Sequence, residues 1–467
     1  MLPSPVAILA AVILAFFVVL TVVRGPIDAD FWWHLTTGRL VLDGGAVPAV
    51  DPFSFAYDGP WVAHEWLGEV LIAALVDAVG FPITAGVFGV ATAAALLVPA
   101  VALVRQGVAV RALLPWIVIG AYTLASFATV RPQVLSWLLL GLLMAILMRL
   151  DARDRMLPWV VIPLMFVWAN LHGLYVIGLG VIGVYVAFTL FGRTPLASRR
   201  WTAAGMLAGA SVASVITPTG PAGLIYPLRY LRQDDWGTAF IAEWQSVDFT
   251  DPRQWGIALL IVGVLLLGRR ATSGWLATIA VLGLAAAVIA VRNAPLAIVM
   301  SMPMLATALN AWLGPPRGLS AGRARQRRLM ELGAAAVVIV ALFIVLPLSA
   351  SSDEETAFPV EAFDRLESTD PDVHLLVDYD WGGYAIHRIH DDGGLVFIDG
   401  RSDMYPREIF EDYLALRAAG PGWERLADHY AVDAILMPPS APLMDAARRS
   451  GWCEEHADPG AVLLVGC

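Results

Sequence analysis

The chain has 467 residues, of which 58% are hydrophobic and only 15% are charged, and its mean hydropathy is +0.69. A soluble domain carries about 25% charged residues, so this composition excludes an ordinary soluble protein and indicates a membrane protein. The formal net charge of −10 argues against nucleic acid as a partner, because nucleic-acid-binding domains are typically basic.

Apolar runs of a length suited to membrane helices recur from the N-terminus to about residue 350. The first run has no basic segment before it and no A-x-A cleavage site, so we expect an uncleaved helix rather than a signal peptide. The sequence therefore predicts an α-helical polytopic membrane domain with about eleven spans. The candidate spans are 6–23, 82–104, 112–130, 133–148, 157–170, 174–191, 201–217, 254–268, 274–291, 294–312 and 331–349.

Arginine residues are distributed unevenly between the loops that join these runs. If the N-terminus is cytoplasmic, the cytoplasmic loops contain 15 arginines and the opposite loops before the C-terminal tail contain 7. Cytoplasmic loops of membrane proteins carry the excess of positive charge, so this orientation satisfies the positive-inside rule. The loop 24–81 and the tail after residue 350 are then predicted to face outwards.

The segment 64–81 is apolar but carries Glu65, Glu69 and Asp77, which helical spacing places on roughly one face. We interpret it as an amphipathic helix at the outer membrane interface. An additional crossing here would invert every later loop and break the arginine pattern.

The polar tail alternates short apolar strands with helical stretches, which predicts a small α/β domain. The acidic stretch 351–356 is interpreted as a short linker. We therefore divide the chain into a transmembrane domain, 1–350, whose outer loop 24–81 carries juxtamembrane helices, and an extracytoplasmic α/β domain, 351–467.

Cys453 and Cys467 are the only cysteines, and the turn sequence Asp-Pro-Gly lies between them. A hairpin centred on Gly460 would bring the two sulfur atoms together, and an outer compartment permits a disulfide. The alternative is two unpaired thiols, and the sequence leaves both possibilities open.

The stretch DADFWWHL (28–35) follows the first run directly. Asp28 and Asp30 are predicted to lie at the outer bilayer surface, where a charged side chain usually faces a cavity. Either carboxylate can deprotonate an acceptor hydroxyl or hold a divalent metal such as Mg²⁺ or Mn²⁺. Asp28 can instead cap the following helix and leave Asp30 for chemistry. Trp32 and Trp33 belong either to the site or to an interfacial aromatic belt.

His34, His64 and Glu65 are further candidates for substrate binding, together with Trp33. His34 is alternatively a polar neighbour that is satisfied without any functional role. His64 and Glu65 adjoin, but the H-E-x-x-H motif is missing, so a zinc-protease site is not indicated.

Four polar residues stand at the predicted outer ends of other helices: Arg131, Asn170, His172 and Arg292. A proline follows Arg131 at once and comes three residues after Arg292, which marks both positions as helix breaks. An arginine in such a place suits bidentate binding of a lipid-borne phosphate. The alternative is an interface arginine that extends towards lipid headgroups. Because all four are predicted on the same side as Asp30, a shared substrate site is favoured.

Two strand ends in the tail break into glycine-containing turns, in VDYDWGGY and VFIDGRSDMY. Ligands of α/β domains collect at the C-terminal ends of strands, so the side chains there are candidates for substrate binding. The alternative is turn chemistry together with an Asp399–Arg401 ion pair that holds the domain. The candidates are Asp380, Trp381, Asp399, Arg401, Asp403 and Tyr405.

These features resemble the GT-C superfamily of polytopic glycosyltransferases, which includes protein O-mannosyltransferases, lipid A aminoarabinose transferases and the catalytic subunit of oligosaccharyltransferase. The resemblance rests on the acidic residue after the first helix, a juxtamembrane helix running to DGGAVP (43–48), a second amphipathic helix at 64–80 and the soluble C-terminal domain. It implies a polyprenyl-phosphate-linked sugar donor. It gives Asp30, with Asp28 as the alternative, the role of catalytic base or metal ligand.

One departure from the superfamily concerns the second carboxylate that many members carry between the third and fourth helices. No residue in 112–140 supplies it, and Arg131 and Gln133 stand there instead. The resemblance therefore leaves metal dependence open.

The leading hypothesis is a glycosyltransferase of a bacterial cytoplasmic membrane that moves a sugar from a polyprenyl-phosphate-linked donor to an acceptor on the outer face. The acceptor is a glycan, lipid or protein that the sequence does not identify. The alternative is a non-catalytic GT-C-like carrier or scaffold for lipid-linked cell-envelope precursors.

Overall fold

The computed structural model describes residues 5–150, 153, 155–226, 241–314, 357–369 and 372–467. These residues form two compact units. The helical unit contains the described residues up to 24, 82–226 and 242–314. The mixed unit contains residues 25–81, 241, 357–369 and 372–467.

The helices of the described residues are numbered in chain order. They are α1 Pro5–Arg24, α2 Ala29–Gly44, α3 Trp66–Val79, α4 Phe81–Arg105, α5 Val110–Ala125, α6 Pro132–Arg149, α7 Val161–Leu171, α8 Tyr175–Leu190, α9 Arg200–Ser214, α10 Pro221–Ile225, α11 Trp255–Leu267, α12 Gly274–Ile289, α13 Ala294–Leu313, α14 Val360–Thr369, α15 Gly382–Ile389, α16 Arg407–Arg417, α17 Trp423–His429 and α18 Pro442–Arg449. The strands are β1 His374–Val377, β2 Leu395–Val396, β3 Ala434–Met437, β4 Cys453–Ala457 and β5 Val462–Val465.

Each of the first ten predicted apolar runs contains a helix, so the prediction of a largely helical membrane domain is confirmed. Among the described residues, five helical stretches are long and apolar enough to cross a membrane. The eleventh run, 331–349, lies outside the described residues, and the number of eleven spans stays a prediction. The five stretches are Ala7–Arg24, Phe81–Arg105, Pro132–Arg149, Pro252–Arg270 and Val291–Leu313.

Small residues set the distances between helices in the helical unit. A Cβ atom added at Gly89 of α4 would lie 2.6 Å from the carbonyl oxygen of Phe17 in α1. One added at Gly141 of α6 would lie 2.7 Å from the carbonyl oxygen of Ala95 in α4. The backbones therefore approach at these glycines as they do in membrane helix pairs, where close packing replaces the hydrophobic effect as the source of association.

The mixed unit begins with α2 and α3. The Asp28 side chain caps α2 by accepting a hydrogen bond from the backbone N–H of Asp30 at 3.1 Å, which confirms the predicted cap. Gly45 ends the helix with φ +65, a left-handed conformation that favours glycine. The two predicted helices of the outer loop are therefore present.

The C-terminal part of the mixed unit has a five-stranded sheet in the order β2-β1-β3-β5-β4. The neighbours β2, β1 and β3 run parallel, whereas β5 pairs antiparallel with β3 and with β4. Strands alternate with α15 to α18 along the chain, so the predicted small α/β domain is confirmed. Its predicted start at 351 and the linker 351–356 lie outside the described residues.

The hairpin of β4 and β5 brings the two cysteines together. Cys453 and Cys467 form a disulfide, with their Cα atoms 5.5 Å apart. Of the two possibilities that the sequence left open, the disulfide is the one observed.

The stretch 49–61 of the outer loop packs against the edge of this sheet. The backbone N–H of Phe55 donates to the carbonyl oxygen of Val396, and the N–H of Val396 donates to the carbonyl oxygen of Phe53. The Ser54 hydroxyl donates to the carbonyl oxygen of Phe397 at 2.9 Å. The loop 24–81 and the C-terminal sheet therefore share one hydrogen-bonded edge.

Candidate functional site

Asp30 lies in the first turn of α2 and is half-buried. Its Oδ1 atom accepts a hydrogen bond from Trp33 Nε1 at 3.1 Å. A carboxylate in the first turn of a helix is also stabilised by the positive end of the helix dipole. The Asp30 carboxylate is thus held in one orientation at the start of α2, while Asp28 is engaged in the helix cap.

Two glycines of the tail turns lie directly against this end of α2. A Cβ atom at Gly400 would lie within van der Waals overlap of Asp30 Oδ1, and one at Gly383 would overlap the carbonyl oxygen of Ala29. The turn sequences WGGY and FIDG therefore require glycine because another backbone and a carboxylate approach there. Tyr379 lies in the same region: burial raises the pKa of its phenol well above its ordinary value, and the negative charge of Asp30 raises it further.

Trp32 and Trp33 are both less than a tenth exposed, at 7% and 8%. The Trp32 ring packs edge-on against Tyr384 and lies 4.7 Å from the His387 ring. The two tryptophans are therefore packed inside the mixed unit, and this burial differs from the lipid-facing aromatic belt that was the alternative.

His34 of α2 lies between two glutamates of the α3 region. Its Nδ1 atom is 3.3 Å from Glu69 Oε1, and its Nε2 atom is 3.5 Å from Glu65 Oε2. Burial raises the pKa of Glu69, and the hydrogen bond and electrostatic interaction with His34 oppose that rise. His34 and Glu69 are almost fully buried, whereas Glu65 is partly exposed.

His64 extends this cluster. Its Nε2 atom lies 3.3 Å from Glu65 Oε1. Burial alone would lower the pKa of His64, but the hydrogen bond and charge of Glu65, with a further contribution from Asp403, raise it to about 9. The sequence candidates His34, His64, Glu65 and Asp403 are therefore brought together in one region of the mixed unit.

Asp399 and Arg401 form a buried ion pair, with Arg401 Nη2 at 2.6 Å from Asp399 Oδ2. Arg401 Nη1 lies 2.6 Å from Asp51 Oδ1, and the Tyr405 hydroxyl donates to Asp399. Burial alone would lower the pKa of Arg401, but the two aspartates outweigh it and hold the guanidinium charged. This arrangement favours the structural alternative for Asp399, Arg401 and Tyr405, since their charges and hydrogen bonds are directed at one another.

The remaining tail candidates, Asp380 and Trp381, lie in the short 3-10 helix Tyr379–Trp381 between β1 and α15. Asp380 is exposed and Trp381 is half-buried. Asp378 caps this turn by accepting from the Asp380 backbone N–H at 3.3 Å. In this turn, the phenol of Tyr379 is the group whose pKa is raised by the negative charge of Asp30.

Arg131 and Arg292 belong to the helical unit and contact neighbouring residues of the 3-10 helix Ala242–Trp244. Arg131 Nη1 lies 3.3 Å from Glu243 Oε1. The Arg292 guanidinium lies 4.1 Å from the centre of the Trp244 ring, a cation–π contact. The two arginines that the sequence singled out therefore converge within this unit.

Asn170 and His172 are buried in the same unit. The Asn170 amide donates to the carbonyl oxygens of Phe166 and Ile216 at 2.9 and 3.0 Å. His172 Nδ1 is hydrogen-bonded with the Ser136 hydroxyl at 3.1 Å. These contacts hold the end of α7 in place, which is what a structural role requires.

Sequence reasoning missed Glu69, Tyr379 and Asp51 as parts of these clusters. A signal existed for Glu69, because its spacing of four from Glu65 places both on one face of a helix. For Asp51 there was none, since its partner Arg401 lies 350 positions away.

Two groups among the described residues could hold a metal ion by the separation of their ligand atoms. They are His34 with Glu65 and Glu69, and Glu361 with His456 and Asp458. Asp28 and Asp30, the metal ligands expected from the sequence, are in neither group.

No protein-family model and no curated protein sequence matches this chain. Solved structures do match it. The apo crystal structure of the Archaeoglobus fulgidus oligosaccharyltransferase superposes with a TM-score of 0.62 at 14% identity, over 92% of this chain and 69% of that one. A crystal structure of the same archaeal protein in complex with Zn and sulfate gives a TM-score of 0.51 at 11% identity, over 99% and 73% of the two chains. At this identity the likeness shows the fold alone, which this chain shares with the archaeal oligosaccharyltransferase.

Proposed function

We propose that the protein is a membrane glycosyltransferase that uses Asp30 as its general base and a polyprenyl-phosphate-linked sugar as donor. The observation that carries this proposal is the fixed carboxylate of Asp30 at the start of α2, held by Trp33 and backed by the turn at Gly400. It stands in a chain that shares the fold of an oligosaccharyltransferase.

The proposed reaction is a single displacement with inversion at the sugar. Asp30 accepts the proton of the acceptor hydroxyl, and the freed oxygen bonds to C1 of the sugar. The bond between C1 and the phosphate oxygen breaks, and the lipid phosphate leaves with the electron pair. In the helical unit, we assign to Arg131 and Arg292 the binding of that phosphate, since a guanidinium suits phosphate oxygens.

Replacement of Asp30 tests the catalytic assignment. Asp30→Asn keeps the shape and the contact with Trp33, so folding and donor binding should survive while turnover falls about 10²–10⁴-fold. Asp28→Asn is the matched control, because asparagine caps a helix as well as aspartate does. The measurements are donor binding and release of lipid phosphate by the purified proteins. Unchanged turnover in both variants would exclude the two aspartates as the base, and a lack of any turnover in the wild type would leave the carrier or scaffold as the function.

The arginines are tested by donor affinity. Arg131→Ala and Arg292→Ala should each weaken binding of the lipid-linked sugar by about 1.5–3 kcal/mol, the usual worth of a hydrogen bond to a charged group. Arg253→Ala serves as the control, because this arginine is 79% exposed and pairs with its neighbour Asp251. Equal affinities in all three variants and the wild type would contradict the assignment.

The outer-face location is part of the proposal and rests on the arginine distribution. Reporter fusions after Gly45 and at Gly420 should report the outer side, and a fusion after Gly107 should report the cytoplasm. A cytoplasmic signal at Gly420 would contradict the topology and the direction of transfer.

A further inference from the structure

We propose that His34, Glu65 and Glu69 form a binding site for a divalent transition-metal ion such as Zn²⁺ or Mn²⁺. Each residue offers one ligand atom, and these atoms all lie within 4.8 Å of one another. One imidazole with two carboxylates is a donor set that both ions accept. The site goes beyond the proposed transferase and does not depend on it.

The two elements that supply the ligands are held together closely. A Cβ atom added at Gly38 of α2 would overlap the carbonyl oxygen of Glu69 and lie 2.8 Å from the Ala73 Cβ in α3. The next residue, Arg39, pairs through its Nη2 atom with Asp77 Oδ1 at 2.6 Å. The backbone around His34 and Glu69 is therefore set by packing, which is what a preorganised metal site needs.

One buried oxygen atom of the cluster is unsatisfied. Glu69 is 1% exposed, and its Oε2 atom has no hydrogen-bond partner among the described residues. Its Oε1 atom faces His34, so the carboxylate as a whole is directed at the cluster. A cation bound beside His34 satisfies this oxygen directly.

One side of the cluster is open to solvent. Glu65 is 14% exposed, so the remaining coordination positions can be filled by water or by an anionic ligand from that side.

The second three-residue group supplies a contrast. Glu361, His456 and Asp458 meet the same distance criterion, but Glu361 is exposed and His456 Nε2 pairs directly with Asp458 Oδ2 at 2.7 Å. No orphaned atom marks that group among the described residues. Like the proposed site, it offers one imidazole and two carboxylates, and it is the matched control.

The metal site is separate from Asp30 but adjoins it through one residue. The Trp33 ring lies 3.6 Å from the His34 ring, and the same indole N–H donates to Asp30. Because the ion is not assigned a step in the transfer, its binding can be measured without any sugar donor.

The test is metal titration of the full chain in detergent after chelator treatment. Zn²⁺ and Mn²⁺ are added separately and heat release and bound metal are measured. We expect stoichiometric binding of one ion per chain by the wild type, and affinity at least about tenfold weaker in Glu69→Gln and His34→Gln, because even outer-shell changes cost that much. His456→Gln and Asp30→Asn should bind as the wild type does. Thermal unfolding without metal verifies that each variant is folded.

Other results would overturn the proposed site. Wild-type affinity in both Glu69→Gln and His34→Gln would overturn the site, as would the lack of any binding by the wild type. Loss of the ion in Asp30→Asn with retention in Glu69→Gln would transfer it to the aspartate pair and also overturn the proposal. If the protein binds the ion but transfers no sugar, the metal site stands and the transferase is disproved, because ion binding is measured without any sugar donor.

Discussion

Arg401 in the turn after β2 forms an ion pair with Asp51 of the outer loop, with Arg401 Nη1 at 2.6 Å from Asp51 Oδ1. Both side chains are at most 1% exposed. The guanidinium also lies 4.8 Å from the centre of the Phe53 ring and 4.7 Å from that of Trp61. The loop 24–81 and the C-terminal domain are therefore joined by a buried charge that lies between two aromatic rings.

Replacement of Arg401 should destabilise the mixed unit strongly. Arg401→Ala leaves Asp51 and Asp399 buried without a positive partner, and breaking a buried pair in this way costs about 3–5 kcal/mol. The measurement is the shift in Tm of the purified protein. Arg407→Ala is the control, since its pair with Glu411 is exposed on α16 and should be worth less than about 1 kcal/mol. Similar Tm values for the two variants would show that the buried network does not stabilise the unit.

Local chemistry explains which parts of this region the sequence could predict. The cap by Asp28 depends on atoms two residues apart, and the hairpin at Cys453 and Cys467 depends on a turn signal between them. Both were therefore accessible from the sequence. The helices α2 and α3 were likewise accessible because their periodicity is local.

Contacts between distant segments were not accessible in the same way. The acidic face of α3 was visible from the spacing of Glu65 and Glu69, but nothing in the sequence indicated that His34 of α2 would lie opposite it. We expected the helix to lie at the membrane interface, and that placement stays a prediction. Its acidic face lies against α2, and the exposed positions of α3 include Leu71 and Val79. Periodicity identifies a face but not the partner that covers it.

The tail turns illustrate the same limit at the candidate site. The sequence shows the glycines of these turns, but it does not show that they are required by the close approach of α2, a segment far away in the chain. Gly383→Ala places a methyl group against the backbone of Ala29, so we expect a loss of about 1–3 kcal/mol in stability, the usual cost of overpacking. Because Asp30 follows Ala29, donor turnover should fall as well.

A matched glycine is available for this test. Nothing lies within 4 Å of a Cβ atom at Gly44, in the last turn of the same α2. Gly44→Ala should therefore change the free energy of unfolding by no more than about 0.5 kcal/mol and leave Tm close to that of the wild type. Equal Tm values for the Gly383 and Gly44 variants would contradict the close approach of the two segments.

The disulfide between Cys453 and Cys467 closes a loop with a sequence separation of 14. A loop of this size is worth about 3 kcal/mol in the chain-entropy model. Cys467→Ser should therefore lower Tm, and the double variant with Cys453→Ser should lower it no further, because both remove the same bond. Alkylation of the native protein without reductant should label neither cysteine. Two reactive thiols under those conditions would contradict the bridge.

His387 on α15 gives the mixed unit a dependence on pH. Its Nδ1 atom is hydrogen-bonded with the Thr36 hydroxyl at 3.2 Å, and its ring packs on Trp32. Burial lowers the pKa of His387 to about 4; the charges of Arg39 and Arg388 lower it as well, and only Asp391 opposes them. The native side chain is therefore neutral throughout the physiological range.

The sign of the pH effect follows from linkage. Between the unfolded pKa of about 6.5 and the native value, the unfolded chain binds a proton that the native protein does not, so stability falls as the pH is lowered through this window. The loss reaches about 2 kcal/mol at pH 5. His387→Gln lacks the titrating group and should lose less Tm between pH 7.5 and pH 5 than the wild type does. His429→Gln, which changes an exposed histidine on α17, should follow the wild type. If the His387 variant and the wild type lose the same Tm over this interval, the buried neutral histidine is not the source of the acid sensitivity.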